Sequence, residues 1–321
     1  MDSVLTGMNA RIVTTATLFT AFAGVLTARA ADSQLLSLVM PDAKVLAGVN
    51  VDQAKASPFG LYVLTQMQSG GTGMQQLIAL TGFDPTRDVH ELLAAFNGTP
   101  GDKTPNGLAL ARGNFDPTTI TTLATSKGAA TEVYNGVTII EDPKKMAGIA
   151  FLNATLVIAG DLANVKAAID RPSSGQSLSI AVIGQVNQWS NAEDAWVITT
   201  VPPSSLTPSS PLGGNAAGIF QQVQQAAGGV KFGNSVVATA AVQADTAPNA
   251  TQMANALQFL LNMAQMQSQN NPQLTTLAQG LAITATGNTV KVTLTMPQAQ
   301  FQQLIQQQKR AMAAPHVGVK K

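Results

Sequence analysis

Residues 280–308 read GLAITATGNTVKVTLTMPQAQFQQLIQQQ and constrain the fold more than any other stretch of this chain. Leu281, Ile283 and Ala285 alternate with Ala282, Thr284 and Thr286. Beyond Gly287-Asn288, the residues Val290, Val292, Leu294 and Met296 alternate with Lys291, Thr293 and Thr295. Two runs of period two around a Gly-Asn pair predict a β-hairpin, because both turn residues tolerate the positive φ that a tight turn requires. Pro297 ends the second run and suits the first turn of a helix, on which Phe301, Leu304 and Ile305 share one face among glutamines. Strand, tight turn, strand, amphipathic helix is therefore the expected building unit.

The unit recurs. Residues 131–142 (TEVYNGVTIIED) predict a hairpin about Asn135-Gly136, and residues 147–159 another about Asn153-Ala154. Asp161 then caps a helix bearing Leu162, Val165 and Ile169. A third hairpin is expected over 230–243, turning at Gly233-Asn234, followed by a helix over 251–267 on which Met253, Leu257, Leu260, Leu261 and Ala264 keep a 3.6-residue period. Strands are also expected at 44–51, 89–96, 107–112 and 195–201, and helices at 178–189 and 216–227.

Ser57-Pro58 and two Phe-Asp-Pro tripeptides, 83–85 and 115–117, mark helix starts, since proline at the first helical position loses no hydrogen bond. Phe115 is placed to pack on Ile120 as a hydrophobic staple, and Lys127-Gly128 to end that helix. Residues 69–73, 171–175 and the Pro/Ser-rich 202–214 read as breaks or loops. Hairpins make antiparallel neighbours, and helices must cover one face of what they form. The fold class is therefore α+β, with antiparallel sheets each backed by helices, in two related halves built from hairpin–helix units. The halves are expected at 31–190 and 191–308, with a flexible tail at 309–321.

The first thirty residues have a different character. Arg11 precedes an uncharged apolar run from Ile12 to Leu26, and Ala28-Arg29-Ala30 before Ala31 fits an A-x-A cleavage site. The run falls short of the ~20 residues that a bilayer span needs. Residues 1–30 are thus expected to be a signal peptide cleaved near Ala30/Ala31, with Met8 as an alternative start. The mature chain would then be periplasmic or extracellular, without a transmembrane span. The chain has no cysteine, so neither disulfides nor a lipidated cysteine are available, and its core alone must hold it together.

Charged residues are only 11% of the chain while hydrophobic residues are 45%, so the polar surface is made largely of Gln, Asn, Ser and Thr. Residues 31–194 carry 10 basic and 15 acidic groups and residues 195–321 carry 6 and 1. Such sparse charge is no footprint for nucleic acid.

The search for chemistry is mostly negative. The two histidines are His90, in an expected strand, and His316, in the tail, so a serine nucleophile with a histidine base rests on His90 alone. With two His and no Cys, neither a transition-metal site nor a cofactor is expected. Asp84 and Asp88 beside Arg87 could form an acid/base pair, although a cap and a local ion pair account for them fully. Glu193-Asp194 lies between Trp189 and Trp196 at the boundary between the halves. Those four residues are the candidate ligand contacts, because tryptophan faces suit a glycan or peptide, with interface sealing as the competing role.

Gly82-Phe83-Asp84-Pro85 with Arg87-Asp88-Val89, Leu110-Ala111-Arg112-Gly113 leading to Phe115-Asp116, Tyr134-Asn135-Gly136-Val137 and residues 156–171 (LVIAGDLANVKAAIDR) together resemble a family of exported bacterial proteins of unknown function. The resemblance spans roughly residues 35–310. It implies an envelope protein with repeated α+β halves and assigns no catalytic residue. The leading expectation is a non-enzymatic binding or scaffold protein of the cell envelope whose partner is another envelope protein, a peptide or a glycan. A carboxylate-dependent hydrolase acting on envelope polymers and an apolar-ligand carrier, the latter suggested by Met- and Leu-rich helices over a sheet, are the alternatives.

Overall fold

The computed structural model describes residues 31–68, 72–98, 106–142, 144, 146–205, 222–267 and 277–303. The expected signal peptide and tail lie outside these residues, as do most of the 202–214 loop, Leu304 and Ile305. Twelve antiparallel strands form one sheet, consistent with the α+β class. In chain order they are β1 (Val45–Asn50), β2 (Val89–Phe96), β3 (Gly107–Gly113), β4 (Ala130–Tyr134), β5 (Val137–Asp142), β6 (Ala147–Asn153), β7 (Leu156–Asp161), β8 (Ala195–Thr199), β9 (Val223–Lys231), β10 (Ser235–Ala244), β11 (Leu281–Thr286) and β12 (Thr289–Pro297).

Across the sheet the order is β11-β12-β10-β9-β8-β1-β2-β3-β7-β6-β5-β4. Strands from residues 45–161 lie on one side of the β1–β8 pair and strands from 195–297 on the other. Both sides run the same course. Three strands step outward, a helix intervenes, and a meander returns so that its last strand pairs with the third. The first side returns through four strands and the second through two.

The helices are α1 (Ser33–Ser37), α2 (Val51–Ala56), α3 (Pro58–Gln68), α4 (Thr72–Thr81), α5 (Pro85–Asp88), α6 (Pro117–Ser126), α7 (Leu162–Ser174), α8 (Ile180–Ala192) and α9 (Ala247–Gln267), with residues 298–303 also helical. The expected caps form. Asp84, Asp116 and Asp161 accept backbone N–H groups at the starts of α5, α6 and α7, and the Asn135-Gly136 turn has φ of 47° and 81°.

Two expectations are corrected. Residues 223–227 belong to β9 and not to a helix, because pairing with β10, joined by β8 from Ala227 onward, outweighs the expected helical spacing, while residues 216–221 lie outside the described residues. The expected break at 171–175 shrinks to Gly175, which is left-handed at φ 67°. Helix α7 runs through Pro172, with Ser173 and Ser174 hydroxyls donating to the carbonyls of Asp170 and Arg171. Phe115 packs on Phe83 and Phe151, at centroid distances of 5.5 and 5.8 Å.

Residues directly opposite in neighbouring strands share a face, so the register sorts side chains. One face carries Leu46, Leu93, Ala95, Leu108, Leu110, Ile139, Ala150, Ile158, Trp196 and Ile198, all buried beneath α1, α7 and α8 in a single core. A second, smaller core lies on the opposite face. There α9 crosses β10, β11 and β12 and covers Val223, Val242, Val290 and Ile283. A one-residue register slip between Gln243 and Ala244 turns Val223 to that side. The helical roof thus changes sides along the sheet.

Candidate functional site

Among the described residues, the change of sides leaves two stretches of sheet with no helix lying across them, apart from α2 at the His90 end of β2, and they differ in chemistry. Opposite α9, the bare face of β10–β12 presents Thr284, Thr286, Lys291, Thr293 and Thr295, ordinary partners for water. Opposite α7 and α8, the bare face of β1–β7 presents Val45, Ala47, Val49, Leu92, Ala94, Phe96, Ala109, Ala111, Ile149, Val157 and Ala159. Leu92 is 42% exposed, Phe96 47% and Ile149 43%. Val197 on β8 continues the strip toward the second half.

The reason lies in the helices. On the second side the helix after the third strand is α9, long enough to lie across its strands. Its counterpart on the first side is the shorter α6, which packs against α4. At the far end of the first side the bare face sinks into a hollow of about 530 Å³. Phe96, Ala109, Ile140, Ala147, Ile149 and Ala159 line it, together with Asp142 and Asp161. Asp161 is committed to structure. Its carboxylate accepts from Asn164 N and Nδ2 and from Gly107 N, tying α7 to the start of β3.

The four candidate ligand contacts lie at the passage from α8 into β8. Trp196 is buried in the main core, its ring so close over Gly48 that a Cβ there would sit 2.5 Å from it. Trp189, on α8, packs partly on the same core and partly lines a small pocket over β8–β10. Asp194 locks β8 to the end of β9. Its Oδ2 accepts from Phe232 N at 2.6 Å, its N–H donates to Val230 O, and its carbonyl accepts from Asn50 N.

Glu193 is buried at the C-terminal cap of α8, one carboxylate oxygen without a partner. Burial pushes its carboxyl above the usual range, against the pull of Thr239 and of Lys231 and Lys291.

The remaining titratable candidates are engaged elsewhere. Asp84 caps α5, and Asp88 accepts from Arg87 Nε and Nη2, both at 2.7 Å, and from Asp84 N at 2.8 Å. Arg87 holds the Asp88 carboxyl below its ordinary value. Neither aspartate lines the hollow. At His90, Asn114 Nδ2 donates to Nε2 at 3.1 Å, which leaves the proton on Nδ1 to be donated to Asp52 at 3.0 Å. The nitrogen that would serve as a base is therefore taken. Among the described residues no group of three or more His, Asp or Glu is placed to hold a metal ion, and no helix is long and apolar enough to cross a membrane.

The bare apolar face escaped the sequence reading because residues 89–96 and 107–113 are apolar at both parities, a pattern equally expected of strands buried on both faces. The two exposed large residues Leu92 and Phe96 carry no sequence mark that separates them from Leu93.

Comparison of the sequence with protein-family profiles and with curated protein sequences finds no match. Among solved structures, crystal form III of TP0453 is similar in fold, with a TM-score of 0.50 at 10% identity over 84% of this chain and 96% of that one. Crystal forms IV and I of TP0453 give TM-scores of 0.45 and 0.46 at 10% and 9% identity, covering 84% and 85% of this chain and 95% and 96% of those. The likeness is one of overall fold.

Proposed function

We propose that this is an exported, non-enzymatic binding protein of the cell envelope, built from two related halves, residues 31–190 and 191–308, and that it holds an apolar ligand on the bare face of β1–β7. One observation carries the reading. Of the two stretches of sheet that no helix crosses among the described residues, one is threonine and lysine and the other is Leu, Phe, Ile, Val and Ala, sinking to a hollow of about 530 Å³. Leaving apolar surface in water forgoes ~25 cal/mol for each Å² that could be covered, and contiguous patches of this kind mark binding sites. The hollow falls within the ~300–1,000 Å³ typical of small-molecule sites. Export is supported by the charged start, apolar run and Ala28-Arg29-Ala30 of the first thirty residues.

The test uses the mature full-length protein and the dye 1-anilinonaphthalene-8-sulfonate. Saturable enhancement of its fluorescence is expected, weakened at least about tenfold in Ile149→Asp, which, being exposed, is expected to keep the parent's circular dichroism spectrum. Equal dye binding by both proteins would refute the site. Native mass spectrometry of protein taken from its own envelope fraction would then identify the retained molecule.

A further inference from the structure

The second pocket has the opposite character from the hollow and stands independently of it. Where the roof changes sides, α8 is the last helix on its face among the described residues, and beyond it lie the strands β9, β10 and β12. The corner encloses about 190 Å³. Gln185, Gln188 and Trp189, at i, i+3 and i+4 on α8, form one wall. Gln225, Gln243 and Thr289 are register partners on successive strands and form the other, above a floor that includes Ile198 and Ala227. No charged residue lines it. Gln185 Nε2 donates to Gln225 Oε1 at 2.6 Å across the corner and fixes both amides. The side chains of Gln188, Gln243 and Thr289 make no hydrogen bond among the described residues.

We infer that this corner binds a neutral sugar ring. A pyranose offers hydroxyls that both donate and accept around its rim and C–H groups on its faces. The corner offers amides and a hydroxyl that both donate and accept, beside an indole. An ionic ligand would meet no counter-charge among the lining residues, and a purely apolar one would cover the amides of Gln188 and Gln243 without offering them a partner. The volume, below the ~300 Å³ of drug-sized sites, has room for a single ring or the end of a chain.

The experiment is isothermal titration calorimetry of the mature full-length protein with glucose, galactose and N-acetylglucosamine, with Trp189 fluorescence followed in parallel. At least one sugar is expected to bind saturably with a dissociation constant of ~1 mM, the range for so small a polar ligand. Gln188→Ala and Thr289→Val, each removing a side chain that makes no hydrogen bond among the described residues, are expected to weaken it at least about fivefold. Ile149→Asp is expected to leave it unchanged, so failure here and failure of the apolar face are separable. Absence of saturable heat with all three sugars, undiminished binding in the Gln188→Ala/Thr289→Val double variant, or binding of triglycine with no sugar response would each overturn the assignment.

Discussion

Asp88 and Glu193 are both buried carboxylates, and their surroundings act on them in opposite directions. Arg87 and the Asp84 N–H favour ionised Asp88, so its folded-state value lies below its unfolded one. The stability it contributes is present above the ordinary aspartate range and is lost as pH falls through the depressed value. Asp88→Asn is expected to cost ~1–3 kcal/mol at neutral pH, the penalty for leaving buried partners unsatisfied, with the deficit shrinking in acid. Urea unfolding at several pH values measures it.

Glu193 is the reverse case, since burial raises its folded-state value. Its contribution is full below the ordinary glutamate range and declines as pH rises through the raised value. Glu193→Gln keeps the shape and a hydrogen bond to Thr239 while removing the buried charge. It is expected to gain roughly 1 kcal/mol near neutrality and nothing in acid, read from the same titration. Local reasoning of this kind was open to sequence at Asp84 and Asp88, where cap and ion pair are neighbours in the chain. It was closed at Glu193, whose environment is made by β9, β10 and β12.

At the scale of elements, the outer strand β4 is short, ends the sheet among the described residues and carries Val133 71% exposed. Glu132, directly opposite the buried Ile139, points toward the covered face and pairs with Lys166 of α7 at 2.6 Å. A charge turned inward on an edge strand discourages a second sheet from adding there. Glu132→Val is expected to promote association, visible as a concentration-dependent rise in mass by light scattering, whereas Glu132→Gln should remain nearer the parent. The turns at Asn135-Gly136 and Gly287 could be read from sequence because their positive φ is a property of those residues themselves. Strand β9 could not, since its identity comes from neighbours remote in the chain.

At the scale of the whole molecule, two cores lie on opposite faces and meet only through the strands between them. The main core draws on α1, α7, α8 and strands β1 to β8, while α9 with β10 and β12 forms a much smaller one. Unequal cores imply unequal resistance to local opening. Hydrogen–deuterium exchange is expected to label α9 and β11 well before β1–β3. Uniform protection across the sheet would mean that the seam couples both sides into a single cooperative unit. That the sheet is antiparallel and helix-backed followed from the alternation in 280–297. That its backing would change sides was not written locally, because it depends on the length of one connecting helix relative to another.

The short helix α6 gives the bare strip its dimensions. Its longer counterpart α9 lies as a rod across three strands, and the equivalent span beside α6 has strands of the same kind with no such rod upon them among the described residues. A guest in that span completes a layer of the architecture, so its best shape is a cylinder ~10 Å across. Slender, flexible hydrocarbon should fit that trough better than flat fused rings.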